Sequence, residues 1–225
     1  MIRLALVAAA ALLMLVGFPV MDAQAATIWT DWSSAIGGFP GSASGTLNGV
    51  GVSYSGEVSG AITNGSDSIW TPTSSFIGGT VTTSPNVVKD DIQLNGTTGT
   101  NTITFASPVQ NPIFAIWSLG APSEPASFTF DATPALQAGG PNGQFGGVSI
   151  GVAGNVVSGH EGNGVVQFSG TFNSISWTDT PEHFYAFTVG MNGPLAPPTP
   201  VPEPASLILF GSGLAGLIWR LRRQR

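Results

Sequence analysis

The chain has 225 residues, of which 42% are hydrophobic and only 8% are charged, and it contains 31 glycines, 17 prolines and no cysteine. This length suits one domain of about 200 residues, and the apolar content excludes a disordered polar chain. The absence of cysteine excludes a disulfide-stabilised fold, a thiolate zinc site and a cysteine nucleophile. Stability must therefore come from side-chain packing.

Positive charge is confined almost entirely to the two ends of the chain. The cationic residues are Arg3, Lys89, Arg220, Arg222, Arg223 and Arg225. Between Arg3 and Arg220, one lysine stands against twelve carboxylates. Because binding to nucleic acid depends on clusters of Lys and Arg, this distribution excludes nucleic acid as a partner. Within residues 26–204, one lysine against eleven carboxylates gives a net charge of −10, which favours neutral polymers over anionic ones as partners.

The N-terminus has the pattern of a secretory signal peptide. Arg3 precedes an apolar run over residues 4–20, and Ala23 and Ala25 provide the small residues that signal peptidase requires. Helix-breaking residues near the end of the run distinguish it from a membrane anchor or a core helix. The sequence therefore predicts a signal peptide over residues 1–25, removed by signal peptidase.

The C-terminus combines a linker, an apolar segment and a basic tail. Residues 194–204 read PLAPPTPVPEP, which is typical of an extended spacer. Residues 205–219 are uncharged and apolar; as a helix they would span about 22 Å of a hydrocarbon core of roughly 30 Å. The four arginines of residues 220–225 oppose translocation. The sequence predicts one transmembrane helix over 205–219 with a cytoplasmic tail; a buried amphipathic helix would need a polar face that this segment lacks.

The order of these C-terminal elements resembles a known sorting signal. Val201, Pro202, Glu203 and Pro204 stand immediately before the apolar segment and the arginine tail, as in the PEP-CTERM signal of bacterial envelope proteins. The resemblance implies recognition of the Pro-Glu-Pro segment by an exosortase, a membrane-embedded enzyme of the transpeptidase type that removes the helix. It also implies export across the inner membrane, transient anchoring there, and a final location at the cell surface or in the extracellular matrix.

Residues 26–193 are predicted to form one all-β domain. Short apolar or alternating runs recur between Gly, Asn, Asp and Pro, and no helical period is sustained for three turns. The predicted strands cover residues 27–32, 49–54, 75–82, 101–105, 113–119, 127–130, 147–152, 165–168, 171–177 and 184–189. This pattern favours an antiparallel β-sandwich, jelly-roll-like in connectivity.

Two predictions concern the packing of these strands. Residues 113–117 are continuously apolar, so this strand should be covered on both faces. Residues 171–179 and 184–189 are expected to pair as a hairpin. In the first of these strands, alternation places Ile175 and Trp177 on one face and Phe172 on the opposite face. In the second strand, Tyr185, Phe187 and Val189 share one face. We expect Trp117, Trp177 and Phe187 in the core.

Candidates for catalysis or metal binding are few. Residues 147–151 match the G-x-S-x-G pattern of serine hydrolases, but a turn rather than a helix is expected to follow. Two histidines adjoin glutamates, in the pairs His160-Glu161 and Glu182-His183; adjacent residues of a strand point apart, so either pair needs loop convergence to act together. Asp179 and Glu182 are the candidate ligands of a Ca²⁺ ion; otherwise no cofactor is predicted.

Carboxylates and threonines elsewhere give no stronger candidate. Asp90 and Asp91 fail as a glycosidase pair because consecutive residues of a strand point in opposite directions. Thr98, Thr100, Thr102 and Thr104 alternate along one strand face, opposite Ile103 and Phe105. This spacing suits hydroxyl recognition of ice or sugar but is more simply the solvated face of a sheet.

The sequence thus predicts a non-enzymatic envelope or extracellular matrix protein, sorted by its C-terminal signal and associated with extracellular polysaccharide. The alternative is a secreted hydrolase acting on such a polymer, with His160, Glu161, Glu182 or His183 in its site.

Overall fold

The computed structural model describes residues 25–65, 69–97 and 99–194, together with Arg220 and Arg223. Fifteen strands lie within these residues. They are β1 (Thr27–Trp29), β2 (Asp31–Ile36), β3 (Gly38–Leu47), β4 (Val50–Val58), β5 (Gly60–Ile62), β6 (Asp91–Leu94), β7 (Asn101–Gln110), β8 (Ile113–Leu119), β9 (Ala126–Phe130), β10 (Pro134–Pro141), β11 (Gly151–Ala153), β12 (Val156–Gly159), β13 (Gly162–Phe168), β14 (Thr171–Asp179) and β15 (Tyr185–Asn192). One 3₁₀ turn, Thr73–Phe76, lies between β5 and β6.

The strands form two antiparallel sheets that pack face to face. The seven-stranded sheet has the order β10-β13-β8-β15-β6-β5, with β1 also paired to β15. The eight-stranded sheet has the order β11-β12-β9-β14-β7-β4-β3-β2. The predicted all-β antiparallel sandwich is confirmed, while its jelly-roll connectivity stays a prediction.

Aromatic rings fill the space between the sheets. Phe114 of β8 is fully buried and stacks on Phe187 of β15, with ring centroids 5.1 Å apart. From the opposite sheet, Trp177 and Phe130 meet Phe114 edge-on at 5.0 and 5.4 Å. Such rings contribute both apolar area and directional contacts. The predicted burial of Trp177 and Phe187 is confirmed.

Strand β8 is buried on both faces, as its unbroken apolar sequence predicts. Phe114 and Ile116 point into the space between the sheets. Ile113 and Trp117 point the other way, into a second core on the outer face of the seven-stranded sheet. This second core is covered by the segment joining β5 to β6, which contributes Ile69, Trp70, Phe76 and Val81.

The predicted hairpin between residues 171–179 and 184–189 is wrong. Strand β14 pairs with β7 and β9, whereas β15 pairs with β8, β6 and β1 in the other sheet. The intervening loop crosses from one sheet to the other. Trp177 and Phe187 do meet, at 5.0 Å and 76°, but across the sandwich. Two strands with apolar faces can bury them by packing face to face from two different sheets as well as by lying side by side in one sheet.

Local backbone irregularities overturn two further predictions. Phe172 is not opposite Trp177, because a bulge between Phe172 and Ser174 shifts the alternation and brings Phe172 against Phe168 and the main core. Residues 75–82 do not form a strand; they contain the end of the 3₁₀ turn and one isolated bridge between Gly78 and Val81. Phe76 and Val81 are buried in the second core instead.

Strand boundaries differ from prediction where the chain changes sheets. Residues 27–32 split into β1 and β2, one in each sheet. The prediction omits five strands: β3, β5, β6, β10 and β12. Gly, Ser, Ala and Pro dominate β3 and β10 and carry little strand propensity, and β5, β6 and β12 have only three or four residues each.

The predicted terminal segments lie outside the described residues. This applies to most of the signal peptide, to nearly all of the linker, and to the helix predicted over 205–219. Among the residues that the structure describes, no helix is long and apolar enough to cross a membrane.

Candidate functional site

Few of the predicted sorting residues can be placed. The carbonyl of Ala25 accepts a hydrogen bond from Thr82 Oγ1 at 3.3 Å, and Arg220 and Arg223 are exposed. The remaining sorting residues, Ala23, Val201, Pro202, Glu203, Pro204, Arg222 and Arg225, lie outside the described residues.

Residues 147–151 do not form a nucleophile elbow. A turn rather than a helix follows, as expected, but it lies at residues 154–155, between β11 and β12, and residues 147–150, predicted as part of a strand, lie outside β11. A nucleophile elbow needs a helix after the turn to expose the serine. Ser149 Oγ instead donates to the carbonyl of Ile150 at 2.9 Å.

Two of the four candidate catalytic residues of the hydrolase alternative, Glu161 and Glu182, interact electrostatically. Burial, and then the charge of Glu161, raises the pKa of Glu182, while nearby backbone N–H groups lower it. Ser118 Oγ donates to Glu161 Oε2 at 2.5 Å. Both Ser118 and Glu161 have positive φ, 59° and 55°, a strained conformation for residues with a side chain.

The two histidines of the hydrolase alternative lie at the surface. His160 and His183 are both exposed. In the described part of the chain, no group of three or more His, Asp or Glu is placed to hold a metal ion.

Asp179 belongs to a buried polar cluster. Its Oδ2 accepts a hydrogen bond from Asn101 Nδ2 at 3.0 Å, and Asn101 Oδ1 accepts from the hydroxyl of Tyr54 at 2.6 Å. Burial is the main cause that raises the pKa of Asp179 to about 6, and the neighbouring charge of Glu57 adds to the shift. Asp179 and Glu182, the candidate ligands of a Ca²⁺ ion, both add to the burial that raises the pKa of the Tyr185 hydroxyl.

An open aromatic cleft lies at the edge of the second core. It has a volume of about 390 Å³, within the range of small-molecule sites. Trp117 lies 5.4 Å from Phe184 and 6.0 Å from Phe145, measured between ring centroids. Gln93 and Gln144 add amide groups to its lining.

The loop that carries Phe145 is held by hydrogen bonds. Asn142 and Gly146 exchange backbone bonds, and Asn142 Oδ1 accepts from the N–H groups of Gln144 and Phe145 at 2.7 and 3.2 Å. The N–H of Gly143 donates to the carbonyl of Thr71 at 2.9 Å. Phe145 is thereby held with half of its surface, 52%, exposed to solvent.

The outer face of the eight-stranded sheet carries hydroxyl groups in register, here called the hydroxyl face. One row crosses five strands and contains Ser34, Ser44, Ser53, Thr104 and Ser174. A second row crosses four strands and contains Ser42, Ser55, Thr102 and Ser176. With neighbouring strands about 4.8 Å apart, the first row extends about 19 Å.

Hydroxyl groups of this face bond to one another. Ser34 and Ser44 Oγ are 2.8 Å apart, and Thr102 Oγ1 and Ser176 Oγ are 3.0 Å apart. Thr102 and Thr104 therefore lie on the solvent side opposite buried Ile103, as their alternation predicts. Thr98 lies outside the described residues.

Sequence reasoning missed Gln93, Gln144 and Phe145. An aromatic residue between glycine-rich turns, as in residues 143–147, is a weak signal of an exposed ring. Gln93 gives no comparable signal, because its position at the cleft depends on how β6 pairs within the sheet.

The fold and surfaces define an all-β sandwich with an aromatic cleft and a hydroxyl face. Residues 200–223 match the model of the PEP-CTERM protein-sorting motif. This match supports an exported protein that is sorted and processed at its C-terminus by an exosortase, for a surface or extracellular location. No curated protein and no solved structure matches the chain.

Proposed function

We propose that this protein is an exosortase-sorted envelope or extracellular matrix protein whose β-sandwich associates, without catalysis, with neutral extracellular polysaccharide. The observation that carries the association is the hydroxyl face, with its two rows of uncharged hydroxyl groups in register. Surfaces of soluble domains usually intersperse charges of both signs, whereas both rows here consist only of Ser and Thr.

Charge supports a neutral partner. Residues 26–204 carry eleven carboxylates and one lysine, so an anionic polymer would be repelled by the protein as a whole. None of these charged residues lies in the two rows. A neutral polysaccharide can exchange hydrogen bonds with the rows without desolvating an ion, which would be costly.

The export route follows from the two ends of the sequence. Signal peptidase would cleave after Ala25, and residues 205–219 would anchor the chain transiently in the inner membrane. Arg220, Arg222, Arg223 and Arg225 would hold the tail in the cytoplasm. The exosortase would then release the sandwich to the surface or the matrix.

Processing at both ends is testable by intact mass spectrometry of the protein recovered from its host. We expect the mature chain to begin at Ala26 and to lack the apolar segment and the arginine tail. A Glu203→Ala variant should retain the C-terminal segment if the Pro-Glu-Pro carboxylate is recognised. A wild-type product that still contains residues 205–225 would contradict exosortase processing.

Association with polysaccharide is testable by co-sedimentation with insoluble neutral polysaccharides. We expect Ser53→Lys to reduce the bound fraction several-fold, because Ser53 is central in the five-strand row and a lysine must be desolvated on contact. Ser123→Lys, at an exposed loop position, adds the same charge outside the face and should bind like the wild type. Equal binding of the wild type and Ser53→Lys would exclude the hydroxyl face as the contact surface.

A secreted hydrolase is the second candidate, favoured by the charge of Glu161, which adds to the burial that raises the pKa of Glu182. A glycosidase needs two carboxyl groups that face each other, one of them with a raised pKa. The same polysaccharide panel, assayed for released reducing ends with and without Ca²⁺, separates the two functions. Turnover that Glu182→Gln abolishes would favour the hydrolase, whereas binding without turnover would favour the matrix protein.

A further inference from the structure

The aromatic cleft differs chemically from the hydroxyl face and lies on the other sheet of the sandwich. It is formed at the outer side of the seven-stranded sheet, where Trp117 of β8 and Gln93 of β6 lie beside the loop that carries Phe145. All the described residues that line the cleft are uncharged. It therefore offers rings and amides to a ligand rather than a charge.

Three aromatic rings line the cleft: those of Trp117, Phe145 and Phe184. Trp117 is almost fully buried, and Phe184 meets it nearly perpendicularly at 86°. Phe145, half exposed, is inclined to the Trp117 ring by 53°. An apolar ligand face that covers Phe145 removes this ring from water, which is favourable in proportion to the area covered.

The two glutamines supply polar contacts beside the rings. The orientation of the Gln93 amide is held by a hydrogen bond, since its Nε2 donates to buried Asp91 Oδ2 at 2.9 Å. Gln144 is exposed next to Phe145. Each amide carries both donors and acceptors and no net charge, which suits the paired hydroxyl groups of a sugar. A pyranose ring also has an apolar C–H face for stacking on an aromatic ring.

The cleft is organised before a ligand arrives. The hydrogen bonds of Asn142 to the N–H groups of Gln144 and Phe145 hold the loop tip, and the bond from Gly143 to Thr71 ties the loop to the segment that covers the second core. Little ordering is then required on binding, which preserves affinity.

We infer that the aromatic cleft is a saccharide-binding subsite that takes one neutral pyranose unit of a polysaccharide, stacked on Phe145 and hydrogen-bonded by Gln93 and Gln144. This inference names the ligand class for the polysaccharide association proposed above and rests on it. It assigns the binding of single sugar units to the cleft, whereas extended polymer surfaces contact the hydroxyl face.

The test is a titration of the protein, purified as its host processes it, with soluble neutral oligosaccharides of glucose, mannose and xylose. Binding is measured by calorimetry and by tryptophan fluorescence. We expect saturable binding of at least one oligosaccharide, weakened about tenfold or more by Phe145→Ala, as for a central aromatic contact, and several-fold by Gln144→Ala. Val148→Ala, at a 59% exposed position that does not line the cleft, should bind like the wild type.

The outcomes separate this inference from the proposed function. Equal oligosaccharide affinity of Phe145→Ala and the wild type would overturn the subsite. Binding to insoluble polysaccharide that depends on Ser53, with no oligosaccharide bound in the cleft, would overturn the subsite and leave the proposed function intact. Self-association that Phe145→Ala abolishes would show that a second copy covers the cleft, and would also overturn the subsite.

Discussion

Replacing Phe114 by alanine is expected to lower the free energy of unfolding by about 3 to 5 kcal/mol, the cost of truncating a fully buried ring. Phe114 is 0% exposed and lies within 5.0 to 5.4 Å of the rings of Phe130, Trp177 and Phe187. Because these neighbours come from both sheets, they cannot all move to fill the cavity. Much of the packing between the layers is therefore lost at once.

Urea unfolding followed by tryptophan fluorescence measures this loss. The matched control is Phe145→Ala, which removes the same side chain from a position that is 52% exposed. We expect the control to cost less than about 1 kcal/mol, since little buried area and no enclosed cavity are involved. Similar losses in the two variants would contradict the assignment of Phe114 to the centre of the core.

The pH dependence of stability is expected to run opposite to that of most proteins. Burial is the main cause that raises the pKa of both Asp91 and Asp179 to about 6 from an ordinary value of 3.8. The folded state then holds these protons more tightly than the unfolded state. The free energy of unfolding should therefore fall as pH rises from about 4 to about 6, and then level off.

The expected size is up to about 3 kcal/mol for each carboxyl, because two pKa units correspond to roughly that free energy. Asp91 is the clearer case, since it is fully buried. Burial outweighs the hydrogen bonds that its carboxyl accepts from Gln93 Nε2 and from the N–H of Ile62, which act to lower its pKa. Asp91→Asn should flatten the fall in stability between pH 4 and pH 6.

Urea titrations at several pH values check this prediction. In the matched control Asp131→Asn, which removes an exposed carboxyl and keeps Asp91, the fall in stability between pH 4 and pH 6 should persist. A wild-type protein that becomes more stable between pH 4 and pH 6 would contradict the raised pKa values of the two buried aspartates.

The acidic charge of the sandwich and its two uncharged surfaces, the hydroxyl face and the aromatic cleft, are both consistent with the proposed role. Carboxylates keep the exported protein soluble and apart from anionic polymers. The hydroxyl face and the aromatic cleft offer neutral contacts on different sheets. A protein with two such contacts can hold a polysaccharide more firmly than either contact would alone.

The sequence alone determined the sorting signal, the all-β class and much of the core. The Pro-Glu-Pro motif, the apolar segment and the arginine tail are contiguous, so their meaning does not depend on folding. The continuous apolar run of β8 likewise predicts burial on both faces, because the prediction depends only on contiguous residues. Trp117, Trp177 and Phe187 were predicted in the core because large aromatic side chains in strands are seldom left in water.

Only the tertiary structure decided which strands pair and which side chains meet. The residues of β14 and β15 carry complementary apolar faces, but the sequence cannot tell pairing within a sheet from packing across two sheets. The hydroxyl rows depend on the register of five strands, and that register is set by bulges and by pairings distant in sequence. The same holds for the electrostatic interaction of Glu161 with Glu182 and for the cleft that Gln93 and Phe145 both line, because residues far apart in the chain form each pair.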